Sequence, residues 1–329
     1  MSSVTQTQER KTGAIREHLS DVVSQLAAAG ALIVVFLFLS FASPQFLTAD
    51  NLFNVGSQTS YTVMVAIGET LVIVTAGIDL SVGSVAALSG VAGALMVANL
   101  GMSVPLGIFG GIVVGAAAGL VNGLLVTVAR LNPFIATLGM YSAARGLDYI
   151  ITNAQSVFGL PNSFALLGQG VIGPIPIPII VIVVVAVIGY IVLARTRLGR
   201  YAYAMGSNLE AARLSGIPTR RYLIAVYVIS GALAGLAGMI ASSLINSGQP
   251  NFGIGLELQA IAAAVIGGAS LFGGQGTILG TLIGSFLIAL IQNGAVLLNV
   301  NTFYQQVILG IIIWVAVIWD QYRRRKLAS

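Results

Sequence analysis

Apolar residues along this chain gather into runs of about 20 with short polar stretches between them, the length that crosses a hydrocarbon core of about 30 Å. Ten such runs fit the sequence: 22–42, 61–77, 82–100, 104–129, 134–151, 177–194, 222–245, 258–272, 277–298 and 304–319. They predict an all-α integral membrane protein of ten transmembrane helices. A polar segment, 1–21, precedes a membrane domain over 22–320, and a basic tail, 321–329, follows it. The first run is longer than the apolar core of a cleaved signal peptide, so it reads as a first span. A polar segment from Thr152 to about Pro176 separates the fifth and sixth runs, and the most polar internal loop covers 195–221.

Composition strengthens that reading. The chain is 57% hydrophobic and 8% charged, whereas soluble domains carry about 25% charged residues. The positions of the 15 Lys and Arg set the orientation. They cluster in the N-terminal segment, in the loop 195–221 and in the tail, with Arg130 in the turn after the fourth run. The loops after the first, third, fifth, seventh and ninth runs carry none. Ten spans with both termini in the cytoplasm therefore satisfy the positive-inside rule. Trp314, Trp319 and Tyr322 fall near the inner end of the last span, where aromatic anchors belong.

A five-helix inverted repeat is a candidate organisation. Asn122-Gly123-Leu124-Leu125 in the fourth run resembles Asn293-Gly294-Ala295-Val296 in the ninth, and Asn132-Pro133-Phe134 resembles Asn301-Thr302-Phe303.

Charges at membrane depth are costly and face a partner or a wet cavity. Arg145 and Asp148, three apart in the fifth run, are expected to pair with each other. Glu257 opens the eighth run, where a carboxylate suits the helix dipole. Asp79 lies in a break flanked by Gly77 and Gly83, and Ser81 or Ser84 is placed to cap the next helix. Asp79 fits an interfacial cap and a mechanical role equally. Glu69, in mid-span after Gly68, requires a buried partner or a cavity. The glycine-rich stretch from Ile266 to Gly276 reads as a tight turn with close backbone approach.

Enzyme chemistry has no visible support. There is no cysteine and one histidine, His18, so no metal cluster is expected, and no nucleophile–base arrangement stands out. The two lysines, Lys11 and Lys326, lie outside any nucleotide-binding loop, so ATP hydrolysis by this chain is not expected. Within 195–221, Ser207-Asn208-Leu209-Glu210 has the spacing of a capping box. Gly216 is placed to stop the helix and Pro218 follows it. A short, individually capped helix at the cytoplasmic surface is therefore expected. It reads either as a knob docking into a partner's groove or as an amphipathic helix whose arginines bind lipid headgroups.

The order of motifs goes further. Thr75-Ala76-Gly77-Ile78-Asp79-Leu80-Ser81-Val82-Gly83-Ser84, Asn132-Pro133-Phe134-Ile135-Ala136-Thr137-Leu138-Gly139-Met140, Arg197-Leu198-Gly199-Arg200 and Gly206 to Ile217 are four such strings. Together with Gly267 to Gly276, they closely resemble the ribose-type monosaccharide ABC permeases over about 49–319. The resemblance implies a second permease copy, as a homodimer or paired permeases. It also implies separate ATPase subunits that hold ATP and Mg, a periplasmic or lipid-anchored sugar-binding protein, and a bacterial inner-membrane location. It makes Ser207, Asn208, Glu210, Ala211, Ala212, Ser215, Gly216 and Ile217 the helix that couples to the ATPase. A pore for a neutral polyol needs hydrogen-bonding and aromatic side chains with few charges. Asn122, Asn132, Phe134, Thr137, Gln259 and Asn293 are candidates for it, with Glu69, Asp79 and Ser81 at the break. Each fits interhelical bonding as well. Two rivals stay open: an ion-coupled transporter using Glu69, and a related permease for branched-chain amino acids or nucleosides.

Overall fold

The structure, a computed structural model, describes residues 25–328. The polar segment 1–21, with His18 and its charges, lies outside the described residues, as do Trp319 and the basic tail's side chains.

The described chain is almost entirely helical, and each of the ten apolar runs coincides with a helix. These are α1 Gln25–Ala42, α2 Ala49–Val74, α3 Val82–Ala98, α4 Val104–Thr127 and α5 Pro133–Thr152. After a short α6 (Leu166–Gln169) and a two-stranded hairpin, β1 Val171–Ile172 with β2 Ile175–Pro176, comes α7 Ile177–Arg195. Then follow α8 Arg197–Ser207, α9 Leu209–Leu214, α10 Thr219–Leu244, α11 Leu256–Ile266, α12 Ile278–Leu297 and α13 Thr302–Ala328. Six of them, α1, α4, α7, α10, α12 and α13, combine the length and apolarity needed to cross a membrane. Helices α3 and α11 are shorter and apolar. Helices α2 and α5 are long enough but more polar.

Two boundaries differ from the sequence reading. Helix α2 starts at Ala49 rather than Tyr61, because Thr48 caps it by accepting from the Asn51 amide at 3.4 Å. Its first turns carry Asn51, Asn54 and Gln58, which broke the apolar pattern. Helix α11 stops at Ile266 rather than Phe272. Gly268 turns left-handed there (φ 96°), and Gly273, Gly274 and Gly276 also have positive φ. The glycine-rich loop then approaches the end of α2, where the Gly274 amide donates to Val74 O at 2.9 Å.

The helices pack as two similar sets. Helix α10 lies against α3 and α4, and α2 lies against α11 and α12. Within each set α3 meets α4 and α5, and α11 meets α12 and α13. The central members, α2 and α10, have 26 residues each and pack on each other. Asn132 accepts from the Phe134 amide at the start of α5, and Asn301 accepts from the Phe303 amide at the start of α13, both at 2.9 Å. A further match escaped the sequence reading: Gly77-Ile78-Asp79-Leu80 and Ala86-Ala87 recur as Gly253-Ile254-Gly255-Leu256 and Ala262-Ala263. These two segments touch, since a Cβ on Gly83 would strike Gly253 O and one on Gly253 would strike Gly83 O.

Small residues make a close seam. Gly111, Gly115, Gly119 and Gly123 recur every fourth residue along one face of α4. That face meets the backbone of α10 for much of its length: a Cβ on Gly115 would strike Gly231 O, and one on Gly119 would strike Tyr227 O. Without a hydrophobic drive between helices in lipid, such backbone approach supplies the packing energy. Gly115→Leu is expected to cost at least about 3 kcal/mol, the upper range for overpacking. Gly139→Ala, with open space around it, is expected to stay within about 0.5 kcal/mol. Melting temperatures of the two variants in detergent check this contrast.

Candidate functional site

The connection between α2 and α3 is a buried break whose polar groups bond largely to one another, leaving Glu69 Oε2 and Asn122 Oδ1 without a partner among the described residues. Glu69, fully buried in α2, accepts from the Asp79 amide at 3.1 Å. Asp79 Oδ1 accepts from the Ser81 amide at 3.0 Å and the Ser81 hydroxyl at 2.6 Å. Asn122 of α4 donates to Ser81 Oγ at 2.9 Å. Thr137 of α5 accepts from the Leu80 amide at 3.2 Å, and its hydroxyl faces Ile78 O and Pro133 O. Five of the predicted residues, Glu69, Asp79, Ser81, Asn122 and Thr137, thus meet in one cluster joining α2, α4 and α5. The expected serine cap does not form. Neither Ser81 nor Ser84 caps α3: Ser81 Oγ is bound to Asp79, and Ser84 Oγ donates to Ser81 O at 2.9 Å. Asp79 instead holds Ser81 itself, through two donors at once, and α3 has no side-chain cap.

The other predicted residues lie elsewhere. Asn132 caps α5, and Phe134 beside it is 46% exposed. Gln259 sits half-buried on α11. Asn293 exchanges two amide hydrogen bonds with Asn51 of α2, at 2.8 and 3.2 Å. The pair lies on the wall of a cleft of about 410 Å³ between α2, α12 and α13. Asn54, Gln58, Gln292 and Gln305 also line it, and among the described residues no charged one does. Sequence reading missed these amides, although Asn51, Asn54, Gln58 and Thr62 recur at helical spacing along one face of α2.

Arg145 and Asp148 do not pair. Arg145 reaches across to the loop after α10 and donates to Pro250 O at 2.6 Å and Phe252 O at 2.9 Å. Loop carbonyls without helical partners are strong acceptors, and they draw the guanidinium from its neighbour. Glu257 does lie in the first turn of α11. The segment 152–176 also differs from its expected polarity. It exposes Phe158, Leu166, Val171, Ile172 and Ile175, and its polar backbone is drawn inward: Val157 pairs with Gly248, and Ser243 Oγ donates to Phe164 O at 2.6 Å.

At the far end of α2 the loop 195–221 holds two helices. The sequence reading anticipated only the second. Helix α8 seats Gly206 against Val74 O and the Gly274 amide, a gap no side chain could enter. Helix α9 is capped by Asn208 rather than Ser207, Asn208 Oδ1 accepting from the Ala211 amide at 2.9 Å. Ser207 is still helical in α8 and cannot act as the cap. Glu210 pairs with Arg213 at 2.7 Å instead of closing a capping box. Gly216 adopts φ 81° and ends the helix, with Ile217 N donating to Ala212 O at 3.1 Å. Ala212 is buried; Leu209 and Leu214 are exposed.

This architecture agrees with comparison to known proteins. Residues 51–317 match the family model described as the permease component of the branched-chain amino acid transport system. The ribose import permease protein RbsC of Escherichia coli K12 is 42% identical over 298 residues, covering 89% of this chain and 92% of that protein. The D-allose transport system permease protein AlsC of the same strain is 42% identical over 291 residues, covering 88% and 89%. The L-arabinose ABC transporter permease protein AraH of Azospirillum brasilense is 40% identical over 296 residues, covering 89% and 86%. No solved structure matches. The chain belongs to this permease family, on its sugar-transporting side, and is a multi-pass protein of the bacterial inner membrane.

The break makes a measurable claim. Asp79→Ala removes the acceptor of two buried donors and is expected to cost about 1–3 kcal/mol. The Asn51–Asn293 pair is expected to couple by about 0.6 kcal/mol, as interhelical bonds in membranes do on average. Unfolding free energies for Asp79→Ala, and for Asn51→Ala, Asn293→Ala and the double variant, check both values.

Proposed function

We propose that this protein is the membrane-spanning subunit of an ATP-driven ABC importer for a monosaccharide, with ribose or a similar pentose or hexose as substrate. The observation that carries the reading is the placement of α2. One of its ends faces the uncharged, amide-lined cleft, and its other end abuts the seat of α8 and α9. A helix of 26 residues is about 39 Å long, so these features lie on opposite faces of the membrane. With ten spans and both termini cytoplasmic, the cleft opens outward and α9 faces inward. The two helix sets then run in opposite senses, as an inverted repeat.

Amides present donors and acceptors in equal measure, which suits the hydroxyls of a neutral polyol. A zwitterionic amino acid calls for charged partners, and the cleft has none. Glu69 is fully buried, away from the water that the titrating group of an ion-coupled carrier must meet, which weighs against that role. Helix α9 offers Leu209 and Leu214 to a partner ATPase, which supplies ATP and Mg. A secreted binding protein delivers the sugar, and a second permease copy completes the conduit. ATP-driven closure moves α9. Its root on α8 bears on the break after α2, and the helices rock between outward- and inward-open states.

Gly216→Pro, incompatible with φ 81°, and Ala212→Trp at the buried face of α9 are both expected to uncouple ATP hydrolysis from uptake. Each should lower vesicle uptake of labelled ribose at least about tenfold, a change of 1.4 kcal/mol in coupling, while membrane insertion is unchanged. Normal uptake in both variants would remove α9 from the mechanism.

A further inference from the structure

A second cavity, of about 560 Å³, opens at the foot of α10 between the end of α2, the turn after α4 and the junction of α8 with α9. It differs in chemistry from the amide cleft. Arg130 and Arg220 line it with Ser207, Asn208 and Thr75, and among the described residues no carboxylate does. Its lining includes Tyr227, 1% exposed, whose hydroxyl lies beside Gly77 and has no hydrogen-bond partner among the described residues. A buried phenol left unbonded is costly.

The backbone of Arg130 points the same way. Its φ is 56°, the left-handed conformation in which helix ends normally place glycine. It closes α4, with the Leu131 amide donating to Leu125 O at 3.1 Å. An arginine held where glycine would be unstrained fits a position kept for its side chain rather than for its turn.

Two guanidiniums in fork geometry recognise phosphate, while hydroxyl and amide groups nearby match sugar hydroxyls. We infer that this cavity is a binding site for the phosphate ester of a small polyol, either a soluble phosphorylated monosaccharide or the headgroup of a phospholipid. The inference rests on the proposed orientation, which puts the cavity on the cytoplasmic face. There the soluble ligand is the product of phosphoryl transfer to an imported sugar. Bound between the break and the root of α9, it links the two elements that the transport cycle must move.

The test uses the full-length permease in nanodiscs of phosphatidylcholine, titrated with ribose 5-phosphate, ribose and inorganic phosphate. Saturable binding of ribose 5-phosphate, tighter than that of ribose, is expected. Arg130→Gly, which relieves the backbone strain and keeps the turn, should weaken binding at least about tenfold (1.4 kcal/mol), and Arg220→Gln likewise. Native mass spectrometry in phosphatidylglycerol nanodiscs reads the other source. A retained phospholipid that both variants lose, and that excludes ribose 5-phosphate, supports the site with lipid as occupant. If neither ligand binds, or if both variants bind as the wild type does, the inference is overturned. Ribose uptake by the wild type assembled with its ATPase is measured in parallel. Failure there sinks the transport proposal and leaves the binding result readable on its own.

Discussion

A buried interruption between two helices survives only if its freed backbone groups find partners within the protein. That constraint governs this structure at the end of α2. Glu69 receives the Asp79 amide, and Asp79 receives the amide and hydroxyl of Ser81. Asn122 and Thr137 tie the same segment to α4 and α5. Three helices are thereby fixed to one irregular segment of chain. Were it unsatisfied, α2 would have no stable way to hand over to α3 within the bundle.

Glycine brings the bundle close enough for this network to form. The α4–α10 seam, the contact of Gly83 with Gly253, and the seat of Gly206 on Val74 O all put backbone against backbone. Such contacts have short reach, so they hold only one arrangement of the helices. They also explain why the two helix sets resemble each other more in packing than in sequence: the small residues sit where the sets touch, and lipid-facing positions are free to vary.

Function follows from where chemistry changes along α2 and α10. The cleft beside the first turns of α2 is amide-lined and uncharged, while the cavity at the foot of α10 is basic. Related positions in the two sets therefore line cavities of different chemistry. Under the proposed reading, a neutral sugar at one end and a phosphate at the other would make no competing demand on the same side chains.

Much was legible along the chain because lipid writes itself into composition. Runs of apolar residues marked the helices, and the spacing from Ser207 to Glu210 with Gly216 and Pro218 announced a short helix at α9, although Asn208 rather than Ser207 caps it. Helix caps and spans depend on neighbours within a few residues, so local sequence determines them. Tertiary structure alone decided which polar residues meet. Arg145 and Asp148 share a helix face, yet Arg145 bonds carbonyls 105 and 107 residues away. Asn293 finds Asn51 across 242 residues, and the first turns of α2 hid their helix by being polar toward a cleft. A side chain's partner in a bundle is set by which helices pack together, and that choice rests on backbone contacts spread over the whole chain.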